Sequence, residues 1–431
     1  MKIAFLVTGS GGSFYCSNCY RDMLYYNAIK KYSNSESVLI PLYLPPEKEY
    51  ARAGFEEEVY FGAVSLYMRE KMPSLPSFFE KILDSKPLLK IAAKSSGSVR
   101  TAGHEELTLH MIDGTYERHK KELERLVNHL REDIRPDIVH LSNALVIGLA
   151  RQIKKYLDIK IVCSLQNEDD WINEMAEPYQ SQAWKMIAEE SSFVDAFITP
   201  SLYFKDFFIS KTGINSEKIK VIRTGIESSD YLVPEVKKES PAIGYLSRVN
   251  YNNGFDKLVD AFIKIKSETE LKPLKMFVCG GFTGDDRPFL KEQLNKLHKY
   301  GFHDSVKICS DFHGEAKAEF LKSVDLISVP VRKPDAFGLY VIEANAAGVP
   351  VVLPWSGAFP EIIEITGGGV LYKPDTVDEL TENIIYMLRN KNIMEEYGKT
   401  GMYNVGNKLT MEKMTEDMVN VYSSLVNKST K

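Results

Sequence analysis

Short apolar runs rich in β-branched residues recur along this chain, separated by stretches with apolar residues at helical spacing. The runs Lys2–Val7, Val38–Pro41, Ile138–His140, Ile159–Leu165, Ala196–Thr199 and Ile219–Ile222 read as one series of strands. Ala242–Leu246, Lys275–Cys279, Val306–Cys309, Leu326–Val329 and Pro350–Leu353 read as a second. Helical periodicity occupies Cys19–Lys31, Arg118–Leu130, Val146–Lys155, Lys257–Lys266 and Pro288–Tyr300. Strands without polar alternation are buried on both faces, and a parallel sheet covered by crossover helices buries them. The expected fold is α/β, with two doubly wound, Rossmann-like domains.

A chain of 431 residues accommodates two such domains. The stretch Ser228–Pro241 is polar, carries prolines and has no period, so the boundary is expected there. The expected division is 1–230, 231–408 and a terminal segment 409–431. Within that segment Met414, Met418, Val421 and Leu425 recur at helical spacing, so a helix over Met411–Val426 is expected to pack back on the first domain.

The net charge of -5 leaves no overall basic field to attract a nucleic-acid backbone. No run of 18 or more apolar residues appears, and Met1–Gly9 reads as a buried strand rather than a signal peptide. Of the 5 cysteines, Cys163, Cys279 and Cys309 lie in apolar runs and read as buried thiols. Cys16-Ser-Asn-Cys19 is a lone CxxC with no second pair at metal-ligand spacing, and reads as two small thiols packing a helix start. A cytoplasmic location fits all five.

Residues Tyr60–Gly114 interrupt the β–α rhythm. Pro73–Lys94 reads as two short amphipathic helices broken between Asp84 and Pro87, with Lys81, Lys86, Lys90 and Lys94 at the rim. Two readings follow. One is a peripheral membrane contact through residues 75–94 at the inner membrane face. The other is an insertion whose apolar faces pack on the core.

The most chemically loaded stretch is Arg332–Pro350. Asp335 precedes a helix start and Glu343 lies eight residues on, about 2.2 helical turns, so both can address one ligand. Between them the N–H groups of Phe337, Gly338 and Leu339 are expected to be open to a phosphate.

With these motifs the chain resembles the retaining GT-B glycosyltransferases of family 4, over almost its whole length and most closely from Ser247 to Glu364. The resemblance implies two Rossmann-like domains facing a central cleft, with the donor held by the second. Gly11 and Gly12, in the loop after the first strand, inherit contact with the donor diphosphate and sugar. Arg248 matches the diphosphate-binding arginine, and Asn253 fills the position of the family's lysine. Lys257 and Arg332 are nearby cations. Ser310 falls where the family holds the base, and Glu343 matches the acid on the ribose hydroxyls. Asp335 stands where the family has glutamate, one methylene longer. Gln166 replaces a histidine that approaches the donor sugar. His140 and Asn143 at one strand end, and Asn167 and Glu168 at another, are expected to face the acceptor.

The implied function is hexose transfer from a nucleotide diphosphate sugar, UDP favoured, to a sugar or lipid-linked acceptor in glycolipid or surface-polysaccharide synthesis. Arg248, Asp335 and Gln166 are the residues expected nearest the reacting atoms. No cofactor and no metal are expected, since no Asp-x-Asp follows a strand. A non-catalytic nucleotide-sugar binder and a GT-B-like phosphorylase or epimerase are the alternatives.

Overall fold

The structure, a computed structural model, describes residues 1–9, 14–45, 58–71, 103–114, 120–232, 240–268, 270–309 and 311–427. The chain forms two compact units. One comprises Met1–Gly12, Asn18–Arg223 and Met411–Lys431; the other comprises Ser13–Ser17 and Thr224–Thr410.

The first unit carries a six-stranded parallel sheet in the order β2-β1-β3-β4-β5-β6. Its strands are β1 (Lys2–Val7), β2 (Glu36–Pro41), β3 (Ile138–Leu141), β4 (Lys160–Ser164), β5 (Ala196–Thr199) and β6 (Ile219–Val221). The order reverses beside β1, so β1 and β3 flank the switch point where ligands of such sheets bind. The helix Met411–Val426 belongs to this unit and buries Met414, Met418 and Tyr422.

The second unit repeats the plan in the order β12-β11-β10-β7-β8-β9. Its strands are β7 (Ala242–Leu246), β8 (Lys275–Cys279), β9 (Val306–Ile308), β10 (Leu326–Ile327), β11 (Val351–Pro354) and β12 (Gly369–Tyr372). Its switch point lies between β7 and β10. Strand β12 carries no strand signal of its own, because Gly367-Gly368-Gly369 opens it. A Cβ at Gly369 would collide with the backbone of Val351, so only glycine lets β12 approach β11 there. The helix Leu339–Ala346 is buried at all its residues, which accounts for its apolar sequence.

Within the insertion, Ala63–Lys71 and Glu105–Asp113 are helical. The amphipathic pair at 73–94 lies outside the described residues. Among the described residues, no helix is long and apolar enough to cross a membrane.

Candidate active site

In the second unit the chain leaves β7 through Ser247 and Arg248. Arg248 meets Asp286 through two parallel bonds, Nε to Oδ2 at 2.8 Å and Nη2 to Oδ1 at 3.1 Å, and Nη2 also reaches Thr283 Oγ1 at 3.1 Å. A bidentate pair holds the guanidinium in one orientation at the sheet's carboxyl edge. Phe14 lies over the guanidinium, 5.0 Å from ring centroid to Cζ.

Asn253 does not replace a lysine by donating outward. Its Nδ2 donates to Ser247 Oγ at 2.9 Å and to the Arg248 carbonyl at 3.0 Å, so both amide protons close the turn after β7. The nearby cations are also engaged. Arg332 grips Asp256 at 2.7 and 2.6 Å, and Lys257 pairs with Asp375 at 2.6 Å.

The expected phosphate seat is occupied by the protein itself. Asp335 Oδ1 accepts from the N–H groups of both Phe337 and Gly338, each at 3.0 Å. The shorter acid turns back onto the helix start, satisfying the donors a phosphate was expected to use and placing negative charge at the helix's positive end. Of the three N–H groups, only that of Leu339 is left clear of this cap. Gly338 holds φ +74°, and a Cβ there would lie 2.7 Å from Phe359 Cε1. The glycine therefore serves backbone conformation and packing as well as any ligand.

Glu343 sits on the next helical turns, 0 % exposed. Its Oε2 accepts from Tyr15 Oη at 2.5 Å. Its Oε1 accepts from Tyr231 Oη at 2.7 Å and from Lys317 Nζ at 2.5 Å. Lys317 is 3 % exposed, and its ammonium faces the rings of Tyr15 and Tyr231 at 5.7 and 5.8 Å. Tyr15 is tied down further by its N–H, which donates to the Gly280 carbonyl at 2.6 Å, next to a bridge from Phe14 to Gly281. None of Tyr15, Tyr231 and Lys317 was singled out from sequence. Their partner is remote along the chain, and a lysine on an ordinary amphipathic helix carries no signal of burial. The aromatic pair Phe14-Tyr15 after the glycines was the one available hint.

In the first unit the carboxyl ends of β3 and β4 carry the residues expected to meet an acceptor. The structure gives most of them internal work. His140 is buried between Phe5 and Tyr25. Its Nδ1 is 2.6 Å from Tyr422 Oη and its Nε2 2.8 Å from Ser164 Oγ. Burial lowers its pKa to about 3, so the ring is neutral and both nitrogens are engaged in the core. Asn143 caps the following turn, its Oδ1 accepting from Leu145 N at 3.0 Å and its Nδ2 donating to Ser142 Oγ at 3.1 Å.

Glu168 is also internal. Its carboxylate ties the two strand ends together, accepting from Ala144 N and Gln166 N, each at 2.9 Å. Burial raises its pKa to about 7 against these backbone donors. Asn167 holds a left-handed backbone, φ +58°, at the start of the helix Glu168–Ile172. That conformation costs a non-glycine residue, least so for asparagine. Gln166 ends β4's exit, and its amide Nε2 donates to Asp22 Oδ1 at 2.5 Å.

Gly11, Gly12 and Ser310 lie outside the described residues. Cys16 and Cys19 are disulfide-bonded, correcting the expectation of two thiols. Cys163, Cys279 and Cys309 are free, the first two buried and Cys309 half-buried. Among the described residues no three His, Cys, Asp or Glu side chains gather as metal ligands would.

Two family models match the chain: Glycosyltransferase Family 4 over residues 98–230, and Glycosyl transferases group 1 over residues 233–402. An uncharacterized glycosyltransferase of Methanocaldococcus jannaschii is 27 % identical over 242 residues, 52 % of this chain and 59 % of that protein. A lipopolysaccharide core biosynthesis mannosyltransferase of Rhizobium meliloti is 27 % identical over 226 residues, 48 % of this chain and 61 % of that protein. The match spans 59 %, 65 % and 51 % of the length of three such curated relatives.

Among solved structures, sucrose-phosphate synthase from Thermosynechococcus elongatus aligns with TM-score 0.73 at 15 % identity, covering 99 % of this chain and 100 % of that one. HepE of Anabaena, solved with UDP and glucose, aligns with TM-score 0.70 at 15 % identity over 98 % of this chain and 100 % of that one. The two parallel sheets, their switch-point geometry and both family models agree: the chain belongs to the group 1, family 4 glycosyltransferases of GT-B fold.

Proposed function

We propose that the protein transfers a hexose from a nucleotide diphosphate sugar, UDP in the first instance, to a sugar or lipid-linked acceptor, with retention at the anomeric carbon. One observation carries the reading. Arg248 and Asp335 follow β7 and β10, the strands that flank the switch point of the second unit's sheet, and Glu343 lies on the helix that follows Asp335. Nucleotides bind outside strand ends at such points. HepE's complexes with UDP and glucose lend the donor class support.

In this reading Arg248 stabilises charge on the departing diphosphate, already oriented by Asp286. Glu343 accepts hydrogen bonds from ribose hydroxyls in place of Tyr15. Asp335 serves the sugar with its carboxylate, whose Oδ1 also accepts from the helix start. The anomeric C–O bond breaks with its electron pair going to the phosphate oxygen. The acceptor oxygen bonds the same face, and its proton passes to that phosphate. Asn253, His140, Asn143 and Glu168 act by holding the loops.

The test is a panel of UDP- and GDP-hexoses with sugar and lipid-linked acceptors, following nucleotide release and the product's anomeric configuration. Transfer with retention is expected. Tight UDP binding with neither transfer nor slow donor hydrolysis across the panel refutes it. An Arg248→Ala variant that binds UDP undiminished refutes the site assignment.

A further inference from the structure

One face of the helix Ser17–Tyr32 is devoted to the exit of β4. Asn18 Nδ2 donates to the Gln166 carbonyl at 2.7 Å, Arg21 Nη2 to the Leu165 carbonyl at 3.3 Å, and Asp22 accepts from Gln166 Nε2 at 2.5 Å. Positions 18, 21 and 22 are spaced i, i+3 and i+4, so the three side chains stand together. From the other side, Glu168 Oε2 accepts from Gln166 N at 2.9 Å.

Three of the four polar groups of Gln166 are thus fixed: its N–H, its carbonyl and its Nε2. Oε1 alone has no protein partner among the described residues. The side chain is buried with the rest of this cluster, Asp22 and Gln166 being 5 % and 4 % exposed. An amide can present either end to a ligand. Beside the ionised carboxylate only Nε2 fits, because Oε1 there would set acceptor against acceptor. We infer that Asp22 is a positioning residue that turns Gln166 so that the site offers a ligand an acceptor at this point, and so selects a sugar whose hydroxyl donates. This rests on the proposed donor-sugar reading of Gln166. Burial pushes the Asp22 carboxyl up to about 7, partly offset by the Gln166 amide and Arg21, and an oxygen that accepts from Nε2 persists in either protonation state.

The test compares Asp22→Leu, which removes the acceptor, with Asp22→Asn, which keeps one in Oδ1, on whichever UDP-hexose the protein turns over. For Asp22→Leu a rise in KM of roughly three- to tenfold is expected, the size of one neutral hydrogen bond, with the Kd of UDP alone unchanged. Asp22→Asn is expected to stay within about threefold of the parent, since the amide keeps its partner. An unchanged KM in Asp22→Leu, or an equal loss of UDP affinity, overturns the inference.

A second measurement needs no activity and does not depend on the folding of Asp22→Leu. In ¹⁵N-glutamine-labelled parent protein, the Gln166 side-chain amide, identified by its loss in Gln166→Leu, is expected as two resolved, slowly exchanging protons. Rapid exchange or averaging overturns the orientation. Absence of turnover on every nucleotide sugar would instead strike the functional reading and leave this result standing.

Discussion

The buried pair Lys317–Glu343 lends itself to a double-mutant cycle. Its partners lie 2.5 Å apart, with side chains 4 % and 0 % exposed. Removing one charge strands the other away from water, and breaking such a pair costs about 3–5 kcal/mol. Lys317→Met keeps the length of the side chain and deletes only the ammonium, so its cost reflects the uncompensated Glu343 carboxylate. Glu343→Gln in that background removes the stranded charge while its carbonyl still accepts from Tyr15 or Tyr231. The double variant is therefore expected within about 1–2 kcal/mol of the parent, so adding Glu343→Gln to Lys317→Met should recover about 1–4 kcal/mol. The second unit approaches 200 residues, where 1 kcal/mol moves Tm by roughly 2–4 °C, so Lys317→Met should lower that unit's transition by about 6–20 °C. Differential scanning calorimetry resolves it. Single and double variants that melt within about 2 °C of the parent would refute the reasoning. They would mean that water reaches the pair, and that Glu343 is not a preorganised buried carboxylate.

Tyr15→Phe removes a phenol that occupies Glu343 Oε2, a charge-assisted bond of about 1.5–3 kcal/mol. UDP binding by calorimetry should tighten by roughly tenfold, and unchanged or weaker binding would show that ribose and Tyr15 do not compete. Cys309 hydrogen-bonds with the Cys279 thiol, which lowers its pKa to about 7, and it is half-buried. Iodoacetamide should label it ahead of buried Cys163, with an inflection near pH 7; preferential labelling of Cys163 would contradict this. The raised Asp22 carboxyl costs stability once ionised, so its contribution is full below about pH 4 and lost as pH rises through about 7. Relative to Asp22→Asn, which cannot ionise, the parent should lose thermal stability across that window and run parallel above it. A difference that grows in the parent's favour as pH rises would invert the sign and refute the assignment. Gly338→Ala forces a side chain onto φ +74° with its Cβ 2.7 Å from Phe359, and should cost about 1–3 kcal/mol by urea denaturation; no change would show that Phe359 yields freely.

The strands were legible because parallel strands covered on both faces must be apolar throughout, as Ile3–Val7 and Ala242–Leu246 are. Strand β12 was not, because what it needed from sequence was the absence of a side chain at Gly369, and glycine reads as a break. The candidate site divides along a similar line. Spacing placed Asp335 and Glu343 at one helix, and that depends only on helical rise. Which donors they satisfy depends on partners 112 and 328 residues away, Tyr231 and Tyr15, and on one methylene that decides whether the acid at 335 reaches outward or folds back. His140 shows the same limit. A polar residue at a parallel strand's end is as well suited to a core network as to a ligand, and only the positions of Tyr422 and Ser164 distinguish the two.

The positions where this chain departs from its family's pattern share a consequence. Asp335, Asn253 and Gln166 each use a donor or acceptor on the protein itself, at the helix start, the β7 turn and Asp22 respectively. A residue so held loses reach and gains a fixed orientation. At Asn253 no donor remains to offer a ligand, since both amide protons are engaged. At Gln166 one amide oxygen remains among the described residues. What Gln166 holds open is an acceptor. A sugar meeting Gln166 is therefore recognised through a hydroxyl proton it gives, and a deoxy analogue lacking that hydroxyl would leave the acceptor unsatisfied, at about 1–3 kcal/mol.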